Sequence, residues 1–266
     1  MAVDRRTVLR SALLAMGTGA TAACSTDDNA DSPAAPSTTE PTSTSAEPTT
    51  PPPRSQAPSP SAPARAAAAV EISHGPRTVH EVALTFHGNG DPALGNRLLD
   101  LVERSGARVS VLAVGTWLVA HPEMASRILK GGHDLGNHTM HHKPMRNLDS
   151  AQAHREIGDC ATVLRRTAKS PGRWFRASGT QQTTPLIRSA AAASGYSTCV
   201  SYDVDGLDWQ DPPAATVVKA VLDGVRPGSI VSLHLGHPVT VTALPRILSG
   251  LTAKRLEPVT LSQLLR

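Results

Sequence analysis

The chain has 266 residues, 26 of them Lys or Arg and 22 Asp or Glu, for a net charge of +4. So small an excess, with no dense basic patch interleaved with aromatics, argues against a nucleic-acid partner. Three Trp, two Tyr and two Phe are all the aromatics available, so a carbohydrate-facing cleft must draw on them sparingly.

Residues 1–24 read as an export signal. Arg5 and Arg6 form a twin-arginine n-region, and an apolar stretch over about 11–23 follows. That stretch is shorter than the roughly 20 residues a membrane-spanning helix needs. It ends in Thr21-Ala22-Ala23-Cys24, which resembles a lipobox with Thr21 where a larger aliphatic residue is usual. On this reading Cys24 carries a lipid, becomes the mature N-terminus and anchors the exported protein to the cell membrane. Cleavage without lipidation is the alternative.

Residues 25–69 are rich in Ser, Thr, Pro and Ala, with almost no large apolar side chains. Such a stretch cannot bury enough surface to offset its ordering entropy and is expected to be a disordered tether. Residues 70–266 are enough for one domain with a full core.

Within that domain strand-like and helix-like segments alternate. The pattern predicts a strand at 79–86, a helix at 92–105 with Leu94, Leu98, Leu99 and Val102 on one side, and a strand at 108–114. A short helix at 123–130 stops at Gly131-Gly132, and a brief segment lies around Leu135. A helix at 150–168, capped by Asp149 or Ser150, precedes a short strand at 174–176. A helix at 184–194, a strand at 196–202, a helix at 213–225, a strand at 229–235 and a helix at 241–251 follow. Residues 257–259 lead into a short closing helix. Repeated strand–helix–strand units predict a mostly parallel sheet covered by helices, able to close into a barrel. Sites in such barrels lie at the C-terminal ends of the strands, where His87, Asp205 and His234 fall. Cys160 and Cys199 are an even pair that is either bridged or two buried thiols.

The most informative residues are His138 and His142, within Gly136-Asn137-His138-Thr139-Met140-His141-His142. On a helical turn, residues four apart share a face, and two imidazoles held that way converge on one divalent metal.

Four further runs accompany this one: Leu84-Thr85-Phe86-His87-Gly88-Asn89-Gly90-Asp91, Phe175-Arg176-Ala177-Ser178-Gly179, Asp205-Gly206-Leu207-Asp208-Trp209 and Ile230-Val231-Ser232-Leu233-His234. Together, in this order, the five runs resemble the NodB-homology polysaccharide deacetylases, over nearly all of the chain from residue 79. The resemblance implies a distorted (β/α) barrel and a hydrolase acting on carbon–nitrogen bonds other than peptide bonds. Its substrate would be an acetylated polysaccharide, with acetyl on N or sometimes O, and its cofactor a divalent metal, commonly Zn2+. It implies that His138 and His142 bind the metal and that His234 is the general acid. Asp205 would set the orientation of His234, and Arg176 would anchor the catalytic base.

The first run departs from the family's Thr-Phe-Asp-Asp-Gly. His87 stands where the base belongs, and Gly88 where the carboxylate ligand belongs. Asp91, His138 and His142 are therefore expected as ligands, with His87 as base or additional ligand. Asp91 precedes Pro92 and is equally a natural helix cap. Arg176 is then free to bind Asp91 or substrate. Two rival functions stand beside the deacetylase: a non-catalytic relative that keeps the barrel and binds glycan, and a metal amidase or esterase of different substrate.

Overall fold

The computed structural model describes residues 67–266. The expected signal, Cys24 and nearly all of the tether lie outside the described residues. Eight strands and eight helices follow in the order β1 (Val70–Ile72), β2 (Glu81–Gly88), α1 (Pro92–Arg104), β3 (Ser110–Ala113), α2 (Gly115–Ala120), α3 (Glu123–Lys130) and β4 (Asp134–Asn137), then α4 (Ser150–Ala168), α5 (Pro185–Ala193), β5 (Thr198–Val200), β6 (Val204–Asp205), α6 (Ala214–Gly224), β7 (Ile230–His234), α7 (Pro238–Ala253), β8 (Glu257–Val259) and α8 (Leu261–Leu264).

Every pair of these strands that meets does so in parallel. The order is β4-β3-β2-β7-β6, with β8 on β2 and a separate β1-β5 pair. Bridges from Asn137 to Phe175 and from Phe175 to Cys199 join the two groups. The wall therefore runs from β1 through β5, Phe175, β4, β3, β2 and β7 to β6. An antiparallel bridge from His74 to Ser229 draws the segment after β1 back toward the start of β7. The result is the parallel, helix-covered wall expected from the alternation, consistent with the distorted barrel that the resemblance implies.

Strand β2 is the axis of the fold, and its two faces do different work. Val82, Leu84 and Phe86 belong to the core cluster beneath the helices, as do Val111 and Ala113 of β3. Ala83 belongs to a cluster that also contains Leu112. With a side-chain period of two, Ala83, Thr85 and His87 point to the barrel interior, and Gly88 points to the helix layer. The helices start where their caps direct. Asp149 and Gln152 form a reciprocal capping box on α4, a device worth about 1 kcal/mol.

One expectation is corrected here. The run from His138 to His142 is no helical turn: β4 ends at Asn137, and Thr139 (φ 69°) and His142 (φ 57°) are left-handed. Helix α2 was not foreseen, because its six residues open without a side-chain cap. Of the two readings of Cys160 and Cys199, that of buried thiols holds: both are free and lie in different core clusters. Burial pushes both thiols up to about 12, which leaves them inert.

Candidate active site

The C-terminal end of β2 carries His87 into the barrel mouth. Its ring lies 4.2 Å from that of His138 and 4.4 Å from that of His234, centroid to centroid. His138 follows β4, with its backbone N–H on Ala113 O at 2.9 Å. Its Nδ1 is 3.0 Å from Arg176 O, an acceptor only, so Nδ1 carries the proton and Nε2 keeps its lone pair. His142, more exposed, brings its ring to 4.9 Å from that of His138. One nitrogen from each of His87, His138 and His142 falls within 4.8 Å of the other two.

Two atoms in this cluster, His87 Nδ1 and His138 Nε2, are buried with no hydrogen-bond partner among the described residues. A buried polar atom left so costs about 1–3 kcal/mol. Two of them on converging rings fit a divalent cation. Burial first, and then the neighbouring imidazoles and Arg176, hold His87 and His138 well below the ordinary imidazole range. Burial and His234 lower His142 as well. All three rings are thus neutral near pH 7, the form that ligates metal.

The structure does not bring Asp91 to this cluster. Pro92 opens α1, and the Asp91 carboxylate accepts from Ala93 N at 2.9 Å as the helix N-cap. The cap geometry satisfies it locally, and His87 takes the third place beside the pair. Nor is there room for a carboxylate at position 88. A Cβ on Gly88 would meet Val111 Cγ1 at 2.8 Å and Ala113 Cα at 3.0 Å, on the face away from the site. Gly88→Ala is therefore expected to cost about 1–3 kcal/mol and to lower the thermal midpoint by several degrees. An unchanged melting curve would contradict this strand register.

His234 ends β7 and is oriented by Asp208 rather than by the expected Asp205. Asp208 is fully buried and accepts from His234 N at 2.7 Å, His234 Nδ1 at 2.8 Å and Thr240 Oγ1 at 2.5 Å. Asp205 instead accepts from Leu207 N at 2.9 Å, turning the loop. That loop holds Leu207 (φ 55°) and Asp211 (φ 49°) left-handed, and between them it leaves Trp209 52% exposed. The Asp-x-x-Asp-Trp run contained both carboxylates; only the fold shows which one lies behind the imidazole.

Arg176 is buried and donates to Val200 O at 3.0 Å, Thr85 Oγ1 at 2.8 Å and Ser201 O at 3.0 Å. Among the described residues its guanidinium bonds neither Asp91 nor another carboxylate. Its guanidinium ties β2 to the chain around β5 beneath the site, while its carbonyl sets the tautomer of His138. Burial lowers it to about 10, still protonated at neutral pH.

Two lobes of an open cleft meet over the cluster. One, of about 440 Å³, includes Gln181, Tyr202, Asp205 and Trp209. The other, of about 240 Å³, includes Asn89, Gly236, His237 and Trp209. His87, His142 and His234 line both. A separate cavity of about 410 Å³ lies at the opposite ends of β2 and β8, beside His80, Arg255 and Glu257. It is far from these groups along the strands, at the barrel end that ordinarily serves stability.

Comparison with known proteins agrees with this fold. A sequence model described as polysaccharide deacetylase matches residues 74–199. A peptidoglycan-N-acetylglucosamine deacetylase of Bacillus cereus is 31% identical over 195 residues, covering 72% of this chain and 91% of that protein. A chitooligosaccharide deacetylase of Bradyrhizobium is 30% identical over 173 residues, covering 62% of this chain and 73% of that one. The crystal structure of the Bc1960 peptidoglycan N-acetylglucosamine deacetylase superposes with a TM-score of 0.69 at 25% identity, covering 73% of this chain and 92% of that one.

Proposed function

The chain belongs to the polysaccharide deacetylase family, and we propose that it is a metal-dependent hydrolase removing acetyl from the N-acetylglucosamine units of a cell-envelope polysaccharide. The observation that carries this reading is the trio of imidazoles at the mouth of the barrel, two of which have a buried nitrogen with no hydrogen-bond partner among the described residues. His87, His138 and His142 would hold the metal. Three neutral nitrogen donors suit zinc, cobalt or nickel better than magnesium or calcium. A bound ion would polarise the acetyl carbonyl and acidify a water molecule.

The protein's own groups supply the rest. Asp208 keeps the proton of His234 on Nδ1, leaving Nε2 toward the cleft as a base. With His87 among the ligands, His234 takes the proton from the attacking water and returns it to the departing nitrogen. The water oxygen bonds to the acetyl carbon, the carbon–nitrogen bond breaks, and acetate and a free amine result. The two lobes suit neighbouring sugars of a chain, with Trp209 as a flat face between them. Acetylglucosamine is the sugar printed in the name of the Bacillus cereus relative. The twin arginines, Cys24 and the tether support export and lipid anchoring at the membrane.

The test is acetate release from N-acetylated oligosaccharides by the purified chain. Acetate and new primary amine in equal amounts, abolished by a chelator and restored by zinc, are expected. Glycan binding by zinc-loaded protein without acetate would establish the non-catalytic relative instead. Release of a different acyl group would establish the amidase or esterase.

A further inference from the structure

Glu156 lies on the inward face of α4, nearly buried, among Ala153, Ile157 and Cys160. It takes no part in the chemistry above, yet both of its oxygens serve one residue. Oε2 accepts from the backbone N–H of His141 at 2.8 Å, and Oε1 lies 2.9 Å from His141 Nδ1. Lys143 Nζ lies 3.5 Å from Oε1.

The segment so gripped turns against its backbone preference, with non-glycine residues left-handed at Thr139 and His142. Its first half is tied many times over. His138 N donates to Ala113 O, Thr139 N donates to Asn137 Oδ1, and Gly115 N and Thr116 N donate to Thr139 O and Met140 O. The second half carries His142 and is held, among the described residues, by Glu156 on His141 and Lys143 and by Ser178 Oγ on Lys143 O. His142 itself makes no hydrogen bond among the described residues. Left-handed conformations in residues other than glycine persist only where the surroundings impose them. Two bonds to a carboxylate are strong enough to do so.

We propose that Glu156 is a positioning residue for the metal site, holding His141 so that His142 stays left-handed with its ring turned toward His138. The inference rests on the three histidines being a metal site. A clamp that acts through His142 must lose its effect once that ring is gone.

The test is zinc affinity of the full chain, by chelator competition, in a cycle of Glu156→Gln, His142→Ala and the pair. Gln keeps the shape, but it presents one acceptor where two are used and loses the attraction of Lys143. Glu156→Gln is expected to weaken zinc binding by about 10- to 100-fold. On the His142→Ala background it should add less than about 2-fold. A merely structural role would weaken both backgrounds alike, and that result, or no loss in the first, overturns the proposal. Wild-type chain that binds no zinc sinks the metal reading and the clamp with it. Zinc-binding wild type with a cycle that does not close as described sinks the clamp alone. Should Glu156→Gln not fold, His141→Ala removes the ring half of the grip from a half-exposed residue. It should show a several-fold loss with the same dependence on His142.

Discussion

Alanine at His138 is expected to weaken zinc binding by at least about 1,000-fold and to abolish acetate release. Outer partners of metal ligands are worth about 10- to 100-fold each, and His138 is placed as a ligand with its own partner already set. Its Nδ1 is committed to Arg176 O, so Nε2 has no other use in the fold. Stability should change far less. One hydrogen bond is lost, worth about 1 kcal/mol, and a cavity opens beside the two other imidazoles. Circular dichroism and thermal melting would separate the effects: a folded chain without metal is the predicted outcome. A His138→Ala chain that binds zinc as tightly as wild type would remove His138 from the site.

The second large effect belongs to His234, and it should split differently. His234→Ala is expected to lower kcat by about 100- to 10,000-fold, the range spanned by general acid–base groups. Zinc content should stay at the wild-type level, since His234 stands outside the cluster of three. Steady-state kinetics beside metal analysis would show this. Loss of metal together with turnover would mean that His234 is a ligand. Unchanged kcat would mean that the proton moves by another route, for which His237 is placed. That ring lies 5.4 Å from His234, with Asp211 Oδ1 at 2.8 Å from its own Nδ1.

How much of this was legible beforehand depends on what each residue's neighbours in sequence could reveal. Helix α4 was readable to its ends, because Asp149 caps it and its apolar face repeats at helical spacing. The pairing of His138 with His142 was readable as a motif but not as a shape. Spacing of four suggests a helical turn, whereas the rings meet through a loop whose left-handed residues no composition marks. At Asp91 two local rules competed, and the helix cap prevailed because Pro92 starts α1 at once. The choice between Asp205 and Asp208 required the third dimension, since the carboxylate that matters is the one β7 and α7 cover. Glu156 left a faint signal, a charge on the apolar face of a helix, and such a charge must have a buried partner. The role of Gly88 was half visible. The missing side chain could be read from the sequence, but the strand register that aims it away from the site could not.

The central claim is that His87, His138 and His142 form one metal site. Native mass spectrometry of zinc-treated wild type and of the His138→Ala, His142→Ala double variant tests it most directly. One tightly held zinc per wild-type chain, and none on the folded double variant, is predicted. Wild type that remains metal-free, or a double variant that still carries its ion, would contradict the claim.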